Sequence, residues 1–216
     1  RPVRVQWSRQ EETAWDTKGP AFTFKMRGGL DAQGSLVAMD YEARAADFCH
    51  LGYNEPDTVL IAQLMGIRRA TPAPGSADRP SDMYTVPNRR MATHVVSMPL
   101  IWETPLRTGN LRDPNGPQVT FASESFIDEL AAAAKADPVE FRLKLLEGKD
   151  DDSGFKRARS IAVVKAAAQA YGWQKRQSPG PIAKGDILTG RGIAYTFRNQ
   201  TVAAEIAEVE EIGRAH

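Results

Sequence analysis

The chain has one cysteine, Cys49, in 216 residues, and only three histidines. A lone thiol closes no internal disulfide and supplies neither a multi-thiolate zinc site nor the ligands of an iron–sulfur cluster. Any electron-carrying clusters that serve this protein therefore sit elsewhere. Charge of one sign is missing too, because 28 basic and 27 acidic residues leave a net charge of +1. With bases and acids interspersed, no global field draws a polyanion, which argues against nucleic-acid binding. No apolar run is long enough to span a bilayer, and no charged-then-apolar amino end marks a signal peptide. An initiator methionine is absent, and the chain opens at Arg1 in what reads as a strand. The tail Glu211–His216 breaks the strand pattern before it, so both ends read as cut and the chain as a fragment, with its compartment open.

What is present suffices for a core: 42% apolar residues can fill one large domain or two small ones. Val3 to Trp7, Phe22 to Met26 and Ser35 to Arg44 read as strands. Lys18-Gly19-Pro20 and Gly28-Gly29 with Asp31-Ala32-Gln33-Gly34 signal the turns of an antiparallel meander. Asp57 to Met65 is expected to be a short helix, and Val95 to Ile101 a strand. Residues 71–82, with Pro72, Pro74, Gly75 and Pro80, read as a surface loop. Lys149 to Ser153 is a charged connection. Ser160 is expected to cap a helix reaching Tyr171, with Gly172 as terminator. Gln177 to Lys184 reads as a loop before a last strand pair. Strands first and helices later argue for an α+β architecture.

The most informative stretch runs from Leu111 to Leu146. Ala122, Phe126, Ile127, Leu130 and Ala134 recur at helical spacing in an alanine-rich run that ends near Lys135. Asp137-Pro138-Val139-Glu140 starts a second helix, with Asp137 as N-cap, Pro138 at the first position and Glu140 three residues beyond the cap. Phe141, Leu145 and Leu146 form its buried face. Upstream, Leu111 to Gln118 holds Pro114, Asn115-Gly116 and Pro117, which read as a rigid loop rather than helix or central strand. Arg112 on that loop has two readings. It is a solvated arginine paired with Asp113 or Glu124, or a guanidinium that meets an anionic cofactor or substrate beside a helix N-terminus.

A family resemblance decides between these readings. Leu111 to Gln118 aligns without a gap on the Phe-Arg-Gly-Phe-Gly-Gly-Pro-Gln signature of the molybdenum hydroxylases, the xanthine oxidase and aldehyde oxidase family, and Arg112, Gly116, Pro117 and Gln118 match it. Phe121 to Ala131 resembles the helix that follows, and Asp137-Pro138-Val139-Glu140-Phe141-Arg142 its continuation. Arg1 to Arg9 resembles the strand that opens the second molybdopterin-binding region. Trp15 to Pro20 is similar to the version in large bacterial subunits of the nicotinate dehydrogenase type. Gly190 to Ala194 and Val202 to Val209 resemble a later strand pair, so nearly the whole chain is covered.

The resemblance implies an α+β fold, part of a molybdopterin-binding domain extending over 1–216. The cofactor is molybdopterin, with iron–sulfur, haem or flavin centres only on other domains or subunits. The substrate is an aldehyde or N-heterocycle, and the partner an iron–sulfur or other electron-transfer subunit. Arg112 is the candidate catalytic residue, stabilising negative charge near the metal. Gly116 lets the backbone approach the cofactor, Gln118 supplies a hydrogen bond, and Arg107 is the second choice because a gapped alignment puts it on the signature arginine. Asp113 and Pro114 replace the signature's Gly and Phe, and Pro114 cannot stack on a substrate as that Phe does. The glycine-rich segment and the glutamate base of the family have no counterparts in the sequence. A rival reading is a non-catalytic α+β assembly module derived from the family.

Other conspicuous residues have ordinary readings. Asp47, Cys49 and His50 are crowded together with His94 far away, a poor zinc pattern, and neighbours on a strand face opposite ways, so Cys49 and His50 cannot pair. Gly28-Gly29 and Gly190-Arg191-Gly192 read as turns or bulges rather than phosphate loops. Arg89-Arg90 is too short for a nucleic-acid patch. Trp102 and Trp173 read as half-buried packing residues, with Trp102 a candidate channel lining. Glu205, Glu208 and Glu210 read as solvent-facing strand charges.

Overall fold

In the computed structural model the described residues are 2–16, 18–46, 80, 82–96, 113, 115–148, 156–177, 187–198 and 201–212. The elements in order are α1 (Arg9–Trp15), β1 (Phe22–Leu30), β2 (Leu36–Ala46), β3 (Asn88–Val96), α2 (Gly116–Ala133), α3 (Pro138–Leu145), α4 (Arg157–Tyr171), β4 (Ile187–Arg198) and β5 (Thr201–Ile212). Strands β1, β2 and β3 form one sheet in that order, and β4 pairs with β5 in another. The α+β expectation holds. The expected helix at Asp57 to Met65, the connection Lys149 to Ser153, and Asp47, Cys49, His50 and Trp102 lie outside the described residues, as does most of the 71–82 loop.

By compactness the chain divides into two units. One comprises Arg1–Lys25, Glu42–Arg79 and Met91–Val119, the other Met26–Tyr41, Pro80–Arg90 and Thr120–His216.

In the first unit the expected strand Val3 to Trp7 is not formed. Instead Ser8 opens α1 with a capping box: its hydroxyl accepts from the Glu11 amide while the Glu11 carboxylate accepts from the Ser8 amide at 2.6 Å. Alternation of Val3, Val5 and Trp7 favours a strand only when a partner strand is there to pair with. All three side chains are exposed.

The second unit holds the core. The turn between β1 and β2 forms as expected, with Asp31 Oδ1 accepting from the Gln33 and Ser35 amides at 2.9 and 2.8 Å and Gly34 at φ 74°. Gly28-Gly29 is no turn, since β1 runs straight through it. A Cβ on Gly28 would stand 2.7 Å from Leu130 Cδ2, so this glycine makes room for a core leucine. Strand β3 starts at Asn88, earlier than the expected Val95. Its Arg89 and Arg90 are accommodated by a doubly hydrogen-bonded Asp82 and by Asp40.

Helix α2 begins at Gly116, inside the segment read as loop. Pro117 sits in its first turn, where a missing N–H costs nothing. The α3 start is as expected: Asp137 Oδ1 accepts from the Val139 and Glu140 amides at 3.0 Å, and Pro138 follows the cap. Helix α4 starts at Arg157 rather than at Ser160. Ser160 is buried within it, and Gly172 ends it in the left-handed conformation. Strands β4 and β5 pair antiparallel from Ile187↔Ile212 to Arg198↔Thr201, so Glu211 and Ile212 continue the strand instead of breaking it. Gly190 and Gly192 lie within β4 opposite Val209 and Ala207, not at a turn.

Ile127, Leu130, Ala131, Val139, Phe141, Leu145, Leu146, Val164, Ile193 and Tyr195 form one buried cluster with Leu36, Met39, Met83 and Tyr84. Burying each large apolar side chain stabilises by roughly 1.5–3 kcal/mol, against at most about 1 kcal/mol for an exposed pair such as Arg9–Glu12. The core decides the fold.

Candidate functional site

Of the four residues expected to face a cofactor, Arg107 and Arg112 lie outside the described residues. Gly116 and Gln118 lie in the first turn of α2. Gln118 Nε2 donates to the carbonyl of the buried Pro20 at 2.9 Å, which ties this turn to the Gly19-Pro20 segment. Buried Asn115 precedes the helix, and its carbonyl accepts from the Val119 amide at 3.1 Å. Asp113 adopts a left-handed backbone, φ 57°, and its carboxylate fills the space that a side chain at Gly116 would take: Oδ2 lies 1.9 Å from an ideal Cβ there.

Elsewhere in the chain lies a buried charge network that sequence reasoning missed. Arg142, fully buried, donates from Nε to Glu124 Oε2 at 2.8 Å, from Nη1 to Asp128 Oδ1 at 2.6 Å and from Nη2 to the Glu124 carbonyl at 3.1 Å. Glu124 also accepts from Tyr84 Oη at 2.9 Å and from the Tyr195 amide at 2.8 Å. Tyr195 Oη donates to Ser160 Oγ at 2.6 Å, and the Tyr84 and Tyr195 rings meet at a centroid distance of 5.6 Å. Four segments thereby converge on one carboxylate: the stretch before β3, α2, α3 and β4.

Burial pushes the Glu124 carboxyl above the usual carboxylate range, while the Arg142 charge and the hydrogen bonds from Arg142, Tyr84 and Tyr195 pull it down. Burial, and then the Glu124 charge, raise the Tyr84 hydroxyl well above the ordinary tyrosine value. Burial also raises Tyr195, to about 12. A carboxylate with this many donors belongs to the scaffold. With Glu124 engaged by Arg142, one of the two partners expected for a solvated Arg112 already has a cation.

His94 lies 3.8 Å from Glu42, and no group of metal-ligating side chains occurs among the described residues. Trp173 is half-buried as expected, and its Nε1 donates to Asp137 Oδ2 at 2.9 Å. The Arg191 guanidinium lies 4.2 Å from the Trp173 ring centroid, a cation–π contact. Glu205, Glu208 and Glu210 are exposed on β5 as expected, and Glu208 accepts from Tyr171 Oη at 2.7 Å. No helix among the described residues is long and apolar enough to cross a membrane.

A three-stranded sheet, an antiparallel strand pair and grouped helices define an α+β protein, and its family can be named. Residues 1–146 match the molybdopterin cofactor-binding domain, and the chain belongs to that family. It is 36% identical over 203 residues to a nicotinate dehydrogenase subunit of Pseudomonas putida, covering 90% of this chain and 15% of that protein. To the aldehyde oxidoreductase molybdenum-binding subunit PaoC of Escherichia coli strain K12 it is 28% identical over 214 residues, 97% of this chain and 26% of the relative. Among solved structures, aldehyde oxidoreductase from Desulfovibrio gigas shares the fold, with a TM-score of 0.51 and 18% identity over 88% of this chain and 19% of that one. The chain thus spans between about a seventh and about a quarter of the length of these relatives.

The family's cofactor is molybdopterin. Among the described residues, the Asp113 carboxylate lies beside Gly116 and the Gln118 amide donates to the Pro20 carbonyl, while Arg107 and Arg112 lie outside them.

Proposed function

We propose that this chain is part of the molybdopterin-binding subunit of a molybdenum hydroxylase. That enzyme hydroxylates an aldehyde or N-heteroaromatic substrate with oxygen taken from water and passes the electrons to iron–sulfur, haem or flavin centres on other domains or an electron-transfer subunit. The observation that carries this reading is the match of residues 1–146 to the cofactor-binding family, which includes the signature loop and both helices after it. The bound cofactor supplies the redox chemistry, and the protein supplies orientation and electrostatics.

Arg112 is assigned the role of stabilising negative charge that develops at the reacting centre. Gly116 is assigned the role of letting the backbone approach the cofactor and Gln118 that of supplying a hydrogen bond, with Arg107 as the alternative arginine. In the full-length protein, Arg112→Ala is expected to lower kcat by roughly 10²-fold or more, with the molybdenum content and the thermal unfolding midpoint unchanged. Parent-like kinetics in a variant with full molybdenum content would sink the assignment.

A further inference from the structure

Helix α2 is held in two different ways along its length. From it the buried apolar cluster takes Ile127, Leu130 and Ala131, with Phe126 and Ala134 packed against that cluster. All five lie in the later part of the helix. Earlier in α2, Val119, Ser123 and Glu124 are buried, but Val119 is outside the cluster and Ser123 Oγ turns back to the Thr120 carbonyl of its own helix. Glu124 reaches outward. Its Oε1 accepts from Tyr84 Oη at 2.9 Å, and its Oε2 accepts from Arg142 Nε and from the Tyr195 amide, both at 2.8 Å. The three donors belong to the stretch before β3, to α3 and to β4.

We propose that Glu124 is a positioning residue, which fixes the rotation and the axial setting of the N-terminal half of α2 and so of the first turn that carries Gly116 and Gln118. Apolar contact is non-directional and lets a helix turn or slide, whereas hydrogen bonds demand one geometry. A slip of one residue moves a side chain about 1.5 Å along the axis and about 100° around it, which breaks all three bonds at once. Net stability is a poor reason for this arrangement, because apolar side chains of the same shape would serve as well. A unique setting of the helix is the better one. The inference rests on the proposed function where it gives the first turn a cofactor to serve, but the pinning of the helix stands without it.

The test follows hydrogen–deuterium exchange along α2 in the full-length protein, with the thermal unfolding midpoint and molybdenum per chain read beside it. Glu124→Leu is made together with Arg142→Met and Tyr84→Phe, so that neither a buried charge nor a buried hydroxyl is stranded, and Asp128, 37% exposed, is left to water. In that protein the amides of Thr120, Phe121 and Ala122 are expected to exchange roughly tenfold faster while those of Leu130 to Ala133 keep the parent rate. Molybdenum per chain is expected to fall severalfold. Glu124→Gln in place of Glu124→Leu, in the same background, returns an acceptor to the Tyr195 amide and is expected to recover most of both losses. Parent-like exchange throughout α2, a uniform rise along it, or equal rates in the two triple variants would overturn the proposal. If the Glu124→Leu protein does not fold, Tyr84→Phe alone decides, with roughly twofold faster exchange expected at the same three amides and no change at Leu130 to Ala133. Equal behaviour of the two halves would then overturn it. A parent protein without molybdenum, or fast exchange at full molybdenum content, would count against the roles proposed for Gly116 and Gln118, and the exchange pattern would still decide the pinning.

Discussion

Arg142 shows how far a single residue can depart from what its type suggests. Arginine is rarely buried, yet this side chain has no exposure and its charge is met by Glu124 and Asp128. A buried pair adds little net stability compared with an apolar pair of the same shape, but removal of one partner strands the other. Arg142→Met is therefore expected to destabilise by about 3–5 kcal/mol, measured by urea unfolding, through the uncompensated Glu124 carboxylate. Arg142→Met with Glu124→Leu should lose less than the single variant. A single-variant loss within error of zero would refute the network's role. The motif match marks Arg142 as a family residue, and Glu124 reads from sequence as a partner for Arg112. Their pairing with each other is not legible there, because helical periodicity finds apolar faces and cannot show that an arginine sits on one.

At the scale of elements, start and stop signals worked where they were local. Asp137, Pro138 and Gly172 act as their types suggest, since capping needs only neighbours in sequence. Asp137 goes further: Oδ1 caps α3, while Oδ2 accepts from Trp173 Nε1 and from the Arg176 amide, both at 2.9 Å. Asp137→Ala should thus cost more than the ~1 kcal/mol typical of a cap, on the order of 2–3 kcal/mol. Denaturant unfolding followed by tryptophan fluorescence reads both the stability and the release of Trp173. A loss below that of a cap alone would show that the second pair of hydrogen bonds contributes nothing. Local signals misled where long-range packing intervened. Gly28 reads as a turn but serves Leu130 inside a strand, and Ser160 reads as a cap but accepts a hydrogen bond from Tyr195 inside α4.

For the whole molecule, the buried tyrosines set an alkaline limit. Burial pushes Tyr195 up to about 12 from the ordinary 10.0, and burial with the Glu124 charge raises Tyr84 well above its ordinary value. A group whose folded pKa is raised contributes stability that is fully present below its unfolded value and lost as pH rises through the folded one. Stability should hold up to about pH 10 and fall steeply toward pH 12, with Tyr195→Phe making the fall shallower. Tyrosinate absorbance and circular dichroism measured on one pH series check this, and two buried tyrosines titrating at the ordinary value with the fold intact would contradict it. By itself the sequence determined the α+β class, most of the strands, both helices of the central stretch and the family signature, because alternation, capping and an ordered motif are encoded between near neighbours. Only the tertiary structure decided that Glu124 and Arg142 meet in the interior, that Gly28 yields to Leu130, and that Asp113 occupies the space beside Gly116. Each of these is a matter of which atoms share one volume, and spacing along a chain carries no information about volume until the chain has folded.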